Sequence, residues 1–374
     1  MMFDYQRIDE YQLEITSYCN AACPQCPRNN NGSGINPHMP LRHLDRAVID
    51  RRFDQELCGR LKQVFLCGSY GDPIMHPEVL DILADFRHKN SQLWLYMHTN
   101  GGVHDPGWWR ELAAIMGTQG RIDFGIDGLN DTLSVYRRNV RYDTVMRNAK
   151  AFIDAGGLAQ WNFIVFDHNQ HQIAEAKKIS VDMGFKEILF RNTGRFWNQR
   201  DMQPISHWPV QDARGKTVET LRPTTLTEYQ NRSIRSSDLI ARNSTQWYQY
   251  FDTTSIQCDA ARGRKVAINC EGLVLPCNFF NHNLYDARFH EPNRLPYAND
   301  CASIQGNNQV RAFLEKYGMH TLNLNHYSLP EIFASPMWSD LEQSWQCGFS
   351  QGRLFECAFT CGERFHKTWD QNVQ

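Results

Sequence analysis

The chain has no uninterrupted apolar run approaching the roughly 18 residues that a membrane-spanning helix needs. Its first residues, Met1-Met2-Phe3-Asp4-Tyr5, lack the apolar core of a secretory signal. A soluble cytoplasmic protein is the expectation. An excess of charge is also missing: 39 Lys and Arg stand against 41 Asp and Glu, with the basic residues single or paired. That removes the general electrostatic case for nucleic acid or an anionic membrane as partner. Cysteine is absent between Cys67 and Cys258, although the 374 residues contain 12. Three lie between residues 19 and 26, Cys58 and Cys67 stand apart, and seven follow residue 257. A secreted disulfide scaffold would be smaller and would carry an export signal, so the clustering points to metal binding at two sites.

The first cluster is Cys19-Asn20-Ala21-Ala22-Cys23-Pro24-Gln25-Cys26, followed by Pro27-Arg28. The C-x3-C-x2-C spacing with two prolines excludes a regular helix and implies a loop that gathers three thiols. A closed zinc or iron-sulfur site takes four protein ligands, so three leave one coordination position for another molecule. The first gap is wider than in the bacterial ferredoxin run, which argues against a simple electron carrier.

From Gln12 to about Phe190, short apolar runs alternate with helix-like stretches. The predicted strands are 13–16, 64–67, 93–97, 122–126, 161–166 and 187–190; the predicted helices lie around 41–62, 78–89, 107–116, 131–155 and 170–183. Regular alternation implies a parallel sheet with right-handed crossovers, and six units fit an α/β partial (β/α)6 TIM-like barrel. Such barrels carry their chemistry on loops after the strands. Here those loops hold the three cysteines, then Gly68-Ser69-Tyr70-Gly71-Asp72-Pro73, His98-Thr99-Asn100-Gly101-Gly102, Asp127-Gly128 and Arg191-Asn192. An ordinary turn at Asn100-Gly101, a helix cap at Asp127 and a surface charge at Arg138 are the plain alternatives. Residues 192–257 show little periodicity and read as a bridge, with Trp197, Trp208, Trp247, Tyr248 and Tyr250 packing against a second domain or lining a cavity. Beyond it, apolar residues flank Glu271-Gly272 as a β-hairpin requires, which brings Cys258 and Cys277 toward one point.

These motifs resemble the radical S-adenosylmethionine (SAM) enzymes. The resemblance implies that Cys19, Cys23 and Cys26 hold a 4Fe-4S cluster whose fourth iron binds SAM. Reductive cleavage then gives a 5'-deoxyadenosyl radical that abstracts hydrogen from a substrate. Gly71, Asp72 and Pro73 are similar to the family loop that binds the SAM ammonium group. Asn100 and Asp127 match its polar contacts, Arg138 its arginine on the SAM carboxylate and Asn162 its ribose contact, with Arg191 a further cofactor-binding candidate. No catalytic residue beyond the cluster is assigned. Gln25 departs from the family, which usually has an aromatic residue there.

The cysteines after residue 257 resemble the SPASM and Twitch groups. The C-x2-C-x5-C-x3-C run of a full SPASM domain is absent, which implies one auxiliary 4Fe-4S cluster on Cys258, Cys277, Cys357 and Cys361. Cys347, Cys270 and Cys301 are alternative ligands, and a structural zinc site is the competing reading. The expected organisation is a radical SAM barrel over 1–195, a bridge over 196–257 and a Twitch-type domain over 258–374. The expected reaction is net oxidation or rearrangement of a small metabolite, with flavodoxin or ferredoxin as reductant. Only eighteen residues precede Cys19, which weighs against a leader-binding module. Maturation of a ribosomal peptide is the alternative, and a non-enzymatic iron-sulfur or zinc protein the reading from another class.

Overall fold

The computed structural model describes residues 1–30, 32–67, 69–193, 195–196, 205–230, 245–285 and 309–362. The chain forms two compact units: one contains 12–196 and 206–230, the other 1–11, 197–205 and 231–374. Of the aromatic candidates, Trp197 and the side chains of Trp247 and Tyr248 lie outside the described residues, as does Cys301.

Six strands stand in the order of the chain, the last five wholly within the first unit: β1 (Glu10–Leu13), β2 (Gln63–Leu66), β3 (Trp94–Thr99), β4 (Gly120–Gly125), β5 (Ala159–Ile164) and β6 (Glu187–Arg191). Pairing from β2 through β6 is parallel throughout. Sequential parallel order with a helical crossover between neighbours is the expected partial barrel. The crossovers are α1 (Arg46–Arg52) with α2 (Gln55–Arg60), α3 (Val79–Lys89), α4 (Pro106–Met116), α5 (Leu133–Tyr136) with α6 (Tyr142–Asp154), and α7 (Ile173–Met183).

Two stretches expected as single helices are broken for local reasons. Asp54 caps a new start by accepting from Leu57 N–H at 2.8 Å, so 41–62 becomes α1 and α2. Asn139 takes a positive φ of 67°, which an α-helix cannot contain, so 131–155 divides into α5 and α6. α4 follows its sequence signals: Asp105 accepts from Gly107 N–H at 2.6 Å, Pro106 opens the first turn and Gly117 ends the helix at φ 56°.

Side-chain alternation sorts the sheet into two faces. Leu95, Met97, Ile122, Phe124, Trp161 and Phe163 are fully buried. Trp109 of α4 packs on Phe124 at 5.3 Å between ring centroids, and Phe152 of α6 joins them. The opposite face carries Phe65, Tyr96, His98, Asp123, Asn162 and Arg191. Residues 208–221, expected as part of an aperiodic bridge, form an antiparallel hairpin of β7 (Trp208–Gln211) and β8 (Thr217–Leu221) within this unit. Its turn is held by the Asp212 carboxylate, which accepts from Arg214 N–H and Lys216 N–H at 2.9 and 3.0 Å.

In the second unit α8 (Thr245–Thr253) and α9 (Asp259–Arg262) lead into the expected hairpin, β9 (Lys265–Ile268) with β10 (Val274–Leu275), whose turn has Gly272 at φ 84°. There follow α10 (Asn278–Tyr285), α11 (Gln309–Lys316), α12 (Leu329–Phe333), α13 (Met337–Ser344) and α14 (Phe355–Cys361). Arg353 is buried and its guanidinium donates to the carbonyls of Cys347, Phe251, Thr254 and Trp345 at 2.6 to 2.8 Å, which ties α8 to the segment before α14. Among the described residues no helix is long and apolar enough to cross a membrane.

Candidate active site

The cysteine loop after β1 is stapled before any ligand is considered. Buried Arg28 donates to the Ser17 carbonyl at 3.0 Å, Asn29 Nδ2 to the Cys23 carbonyl at 3.2 Å, and Cys26 N–H to the Cys23 carbonyl at 3.1 Å. These bonds hold the three thiols within electrostatic reach of one another, and none is in a disulfide. Burial pushes the Cys19 thiol well above its usual range, helped by nearby Asp72. Burial also pushes Cys23 up, to about 11, against the opposing pull of Arg137.

The neighbouring loop is locked to this one by backbone. The Asp72 N–H donates to the Tyr18 carbonyl at 2.8 Å. The Glu14 carboxylate, buried at the end of the strand region, accepts from Tyr70 N–H at 2.6 Å and Gly71 N–H at 3.3 Å. Glu14 was not singled out in the sequence, where it reads as an ordinary strand residue. A Cβ on Gly71 would lie 1.8 Å from the Thr16 carbonyl oxygen, so this glycine serves the close approach of two loops. Gly71→Ala is therefore expected to cost at least about 3 kcal/mol, whereas Gly59→Ala, with open space around it inside α2, should stabilise by about 0.5–1 kcal/mol. Thermal unfolding of the two variants checks this, and equal melting temperatures would contradict it.

Asp72 is buried, and burial raises its pKa. Its Oδ2 accepts from both the backbone N–H and Nδ2 of Asn100, at 2.7 and 2.6 Å, and its Oδ1 faces Ile74 N–H, just after Pro73, at 3.3 Å. Asn100 Nδ2 also reaches Asn20 Oδ1 at 2.9 Å and Cys19 Sγ at 3.7 Å. The loops after the first three strands are thus one hydrogen-bonded assembly beside Cys19.

After β4, Asp127 is fully buried. Its Oδ1 accepts from Ile164 N–H at 2.7 Å and its Oδ2 from Arg137 Nε at 2.5 Å. Arg137 Nη1 lies 3.9 Å from Cys23 Sγ. Arg138, the arginine expected here, instead donates from Nη1 to the Gln211 carbonyl of β7 at 2.9 Å. Sequence motifs missed Arg137 because the two are adjacent. It leaves α5 at the helix end, where the chain turns it toward the thiols. A second guanidinium, Arg195, donates to the Gln25 carbonyl at 3.3 Å and lies within the field of Cys26 and Cys23.

Asn162 and Arg191 meet on the open face of the sheet, with Arg191 Nε donating to Asn162 Oδ1 at 3.2 Å and Asn162 Nδ2 to Asp123 Oδ2 at 3.0 Å.

The second set of thiols is also drawn together. Cys361 is hydrogen-bonded with Cys258, and that bond, followed by burial, raises its pKa strongly. Cys277, pushed up to about 12 by burial, feels Cys361, and Cys357 feels both. Cys357 and Cys361 are one turn apart on α14, so they share a helix face. Gln257 N–H donates to the Cys361 carbonyl at 2.9 Å, which fastens the segment before Cys258 to that helix. The Cys347 thiol instead donates to the Gln343 carbonyl at 3.5 Å, and Cys270 is buried in the hairpin turn.

The residues present fit iron-sulfur clusters. Both donor sets are soft thiols. Two guanidinium groups flank the first set, as a group with anionic ligands requires. Gln25 Oε1, buried in the same loop, has no partner among the described residues. Among those residues no three His, Cys, Asp or Glu side chains close on a single point as ligands of one metal ion would; each thiolate of a four-iron cluster sits on a different iron.

Residues 13–177 match the Radical SAM superfamily. The fold is similar to that of anSMEcpe with bound AdoMet, with 13% identity over 94% of this chain and 85% of that one, TM-score 0.50. The structure of Streptococcus suis SuiB bound to S-adenosylmethionine matches at 16% identity over 73% of this chain, TM-score 0.48, and the match spans 61% of the SuiB chain. BtrN in complex with AdoMet and 2-DOIA matches at 11% identity over 97% of this chain and 96% of that one, TM-score 0.41. No curated protein sequence matches.

Proposed function

We propose that the chain is a radical SAM enzyme in which Cys19, Cys23 and Cys26 hold a 4Fe-4S cluster and SAM binds over the adjoining strand ends. The observation that carries this reading is the set of three thiols on the loop after β1, with the Asn100 amide turned to the sulfur of Cys19 and the Arg137 guanidinium to that of Cys23. When bound, the cluster and SAM supply reductive cleavage to a radical that abstracts hydrogen. The chain's own residues then bind and orient. Backbone of Gly71, Asp72 and Pro73 receives the ammonium group, Arg137 takes the anion-facing role expected of Arg138, and Asn100, Asp127, Asn162 and Arg191 define the polar rim. Gln25 Oε1 is an acceptor that a donor on the bound cofactor would satisfy.

Cys258, Cys277, Cys357 and Cys361 hold one auxiliary 4Fe-4S cluster in a Twitch-type domain, which accepts the substrate electron in a net oxidation or rearrangement of a small metabolite. Flavodoxin or ferredoxin is the reductant, and the cytoplasm is the compartment. A peptide substrate is the second reading; among proteins of similar fold, SuiB is known bound to the precursor peptide SuiA and anSMEcpe bound to Cp18Cys peptide.

Electron paramagnetic resonance tests the assignment. The reduced protein should show a cluster signal that SAM reshapes, and the Cys19→Ala, Cys23→Ala, Cys26→Ala variant should keep only a SAM-insensitive signal. A SAM-insensitive spectrum in the iron-loaded wild type would sink the reading.

A further inference from the structure

The open face of the sheet carries a constellation that the cofactor sites do not use. Cys67, which follows β2, continues the alternation of Gln63 and Phe65 and so shares their face. Its Sγ lies 3.8 Å from His98 Nδ1. His98 Nε2 lies 2.5 Å from the Tyr96 hydroxyl, and that hydroxyl is 2.6 Å from Asp123 Oδ2. Phe65 stacks on Tyr96 at 4.5 Å and meets the edge of His98, which fixes both rings.

The protons along this chain can be ordered. Asp123 is buried, and burial alone would raise its pKa, yet His98, Tyr96 and Arg121 together bring it below the ordinary carboxylate value. It is therefore an ionised acceptor, so Tyr96 donates its O–H to it. The Tyr96 oxygen then accepts the Nε2 proton of His98. In the neutral ring Nδ1 then carries no proton and faces the Cys67 thiol as an acceptor. The direction runs Cys67 S–H, His98, Tyr96, Asp123.

A cysteine beside a histidine oriented by a carboxylate also resembles a nucleophile with its base. Two observations decide against a nucleophile. The Cys67 to His98 contact is long, and burial together with Glu14, Asp72 and Asp123 pushes the thiol up to about 12, so the sulfur keeps its hydrogen. His98, which meets Cys67 Sγ at 3.8 Å, lies two residues before Asn100, whose amide reaches Cys19 Sγ at 3.7 Å, so the same strand end carries both contacts. His98, with its side chain 36% exposed, connects the array to solvent.

We propose that Cys67 is a catalytic hydrogen-atom donor to a carbon radical formed over the strand ends, with His98, Tyr96 and Asp123 as positioning residues; this rests on the radical SAM reading above. The S–H bond breaks homolytically, a stronger C–H bond forms on the radical carbon, and a thiyl radical is left on Cys67. One electron from the low-potential reductant and one solvent proton delivered through His98 restore the thiol.

The test needs no substrate. Iron-loaded protein is turned over with SAM and dithionite in D2O, where S–H becomes S–D, and the 5'-deoxyadenosine is analysed for deuterium by mass spectrometry. The proposal expects one deuterium in most of the wild-type product, at least a tenfold lower fraction with Cys67→Ser and with Cys67→Ala, and a fraction lowered about two- to fivefold with Tyr96→Phe, which releases the His98 ring. With limiting reductant, peptide mapping should find Cys67 oxidised. Product free of deuterium in the wild type, or equal deuterium in the Cys67 variants, would overturn it while leaving SAM cleavage intact, and a wild-type fraction with Tyr96→Phe would overturn the positioning role. If no 5'-deoxyadenosine forms even in the wild type, the radical SAM reading falls and this inference with it.

Discussion

Arg137→Ala is expected to destabilise the first unit by about 3–5 kcal/mol, while Arg138→Ala should cost no more than about 1 kcal/mol. The difference comes from what each substitution leaves behind. Asp127 is fully buried, and its Oδ2 is held by Arg137 Nε; without that partner a carboxylate stays buried with only the Ile164 N–H on its other oxygen. Arg138 gives up one hydrogen bond to a carbonyl of β7. Urea unfolding followed by tryptophan fluorescence measures the contrast, read from the transition that moves, because a two-unit chain need not unfold in one step. The same pair separates function: Arg137→Ala should lose SAM affinity at least tenfold and Arg138→Ala less than threefold. Equal effects would contradict the assignment of Arg137 to the thiols.

The Cys357→Ala, Cys361→Ala variant should bind about half the iron of the wild type after anaerobic reconstitution. These residues share one face of α14, and their neighbours across the site are Cys258 and Cys277. Losing two of four thiolates removes the auxiliary cluster and leaves Cys19, Cys23 and Cys26 intact. SAM cleavage should persist in part while substrate turnover stops. Equal loss of both would assign the second set a structural role. Cys347→Ala should keep the full iron content, because the Cys347 thiol is directed to the Gln343 carbonyl; a loss equal to that of Cys357→Ala would make it a ligand.

The barrel was legible because its signals are local. Each strand is a short apolar run, each of the loops after β1, β2 and β3 carries residues that no strand or helix needs, and the cysteine spacing survives any error in element boundaries. The missed features depend on tertiary contact. Glu14 sits in a predicted strand, and only the fold brings its carboxylate to Tyr70 and Gly71. Arg137 and Arg138 are neighbours whose directions are set by the end of α5, which no motif encodes. The hairpin at 208–221 has alternating but weakly apolar strands, so its composition reads as linker. Cys67 stands alone in the sequence, and its partners come from β3 and β4. Gly71 has a further use that the sequence did not show: its missing Cβ makes room for the Thr16 carbonyl.

Formation of 5'-deoxyadenosine from SAM tests the central claim most directly. The anaerobically reconstituted and reduced wild type should form it, and the Cys19→Ala, Cys23→Ala, Cys26→Ala variant should form at least a hundredfold less. A fully iron-loaded wild type that cleaves no SAM, or a triple variant that cleaves it as fast, would contradict the account.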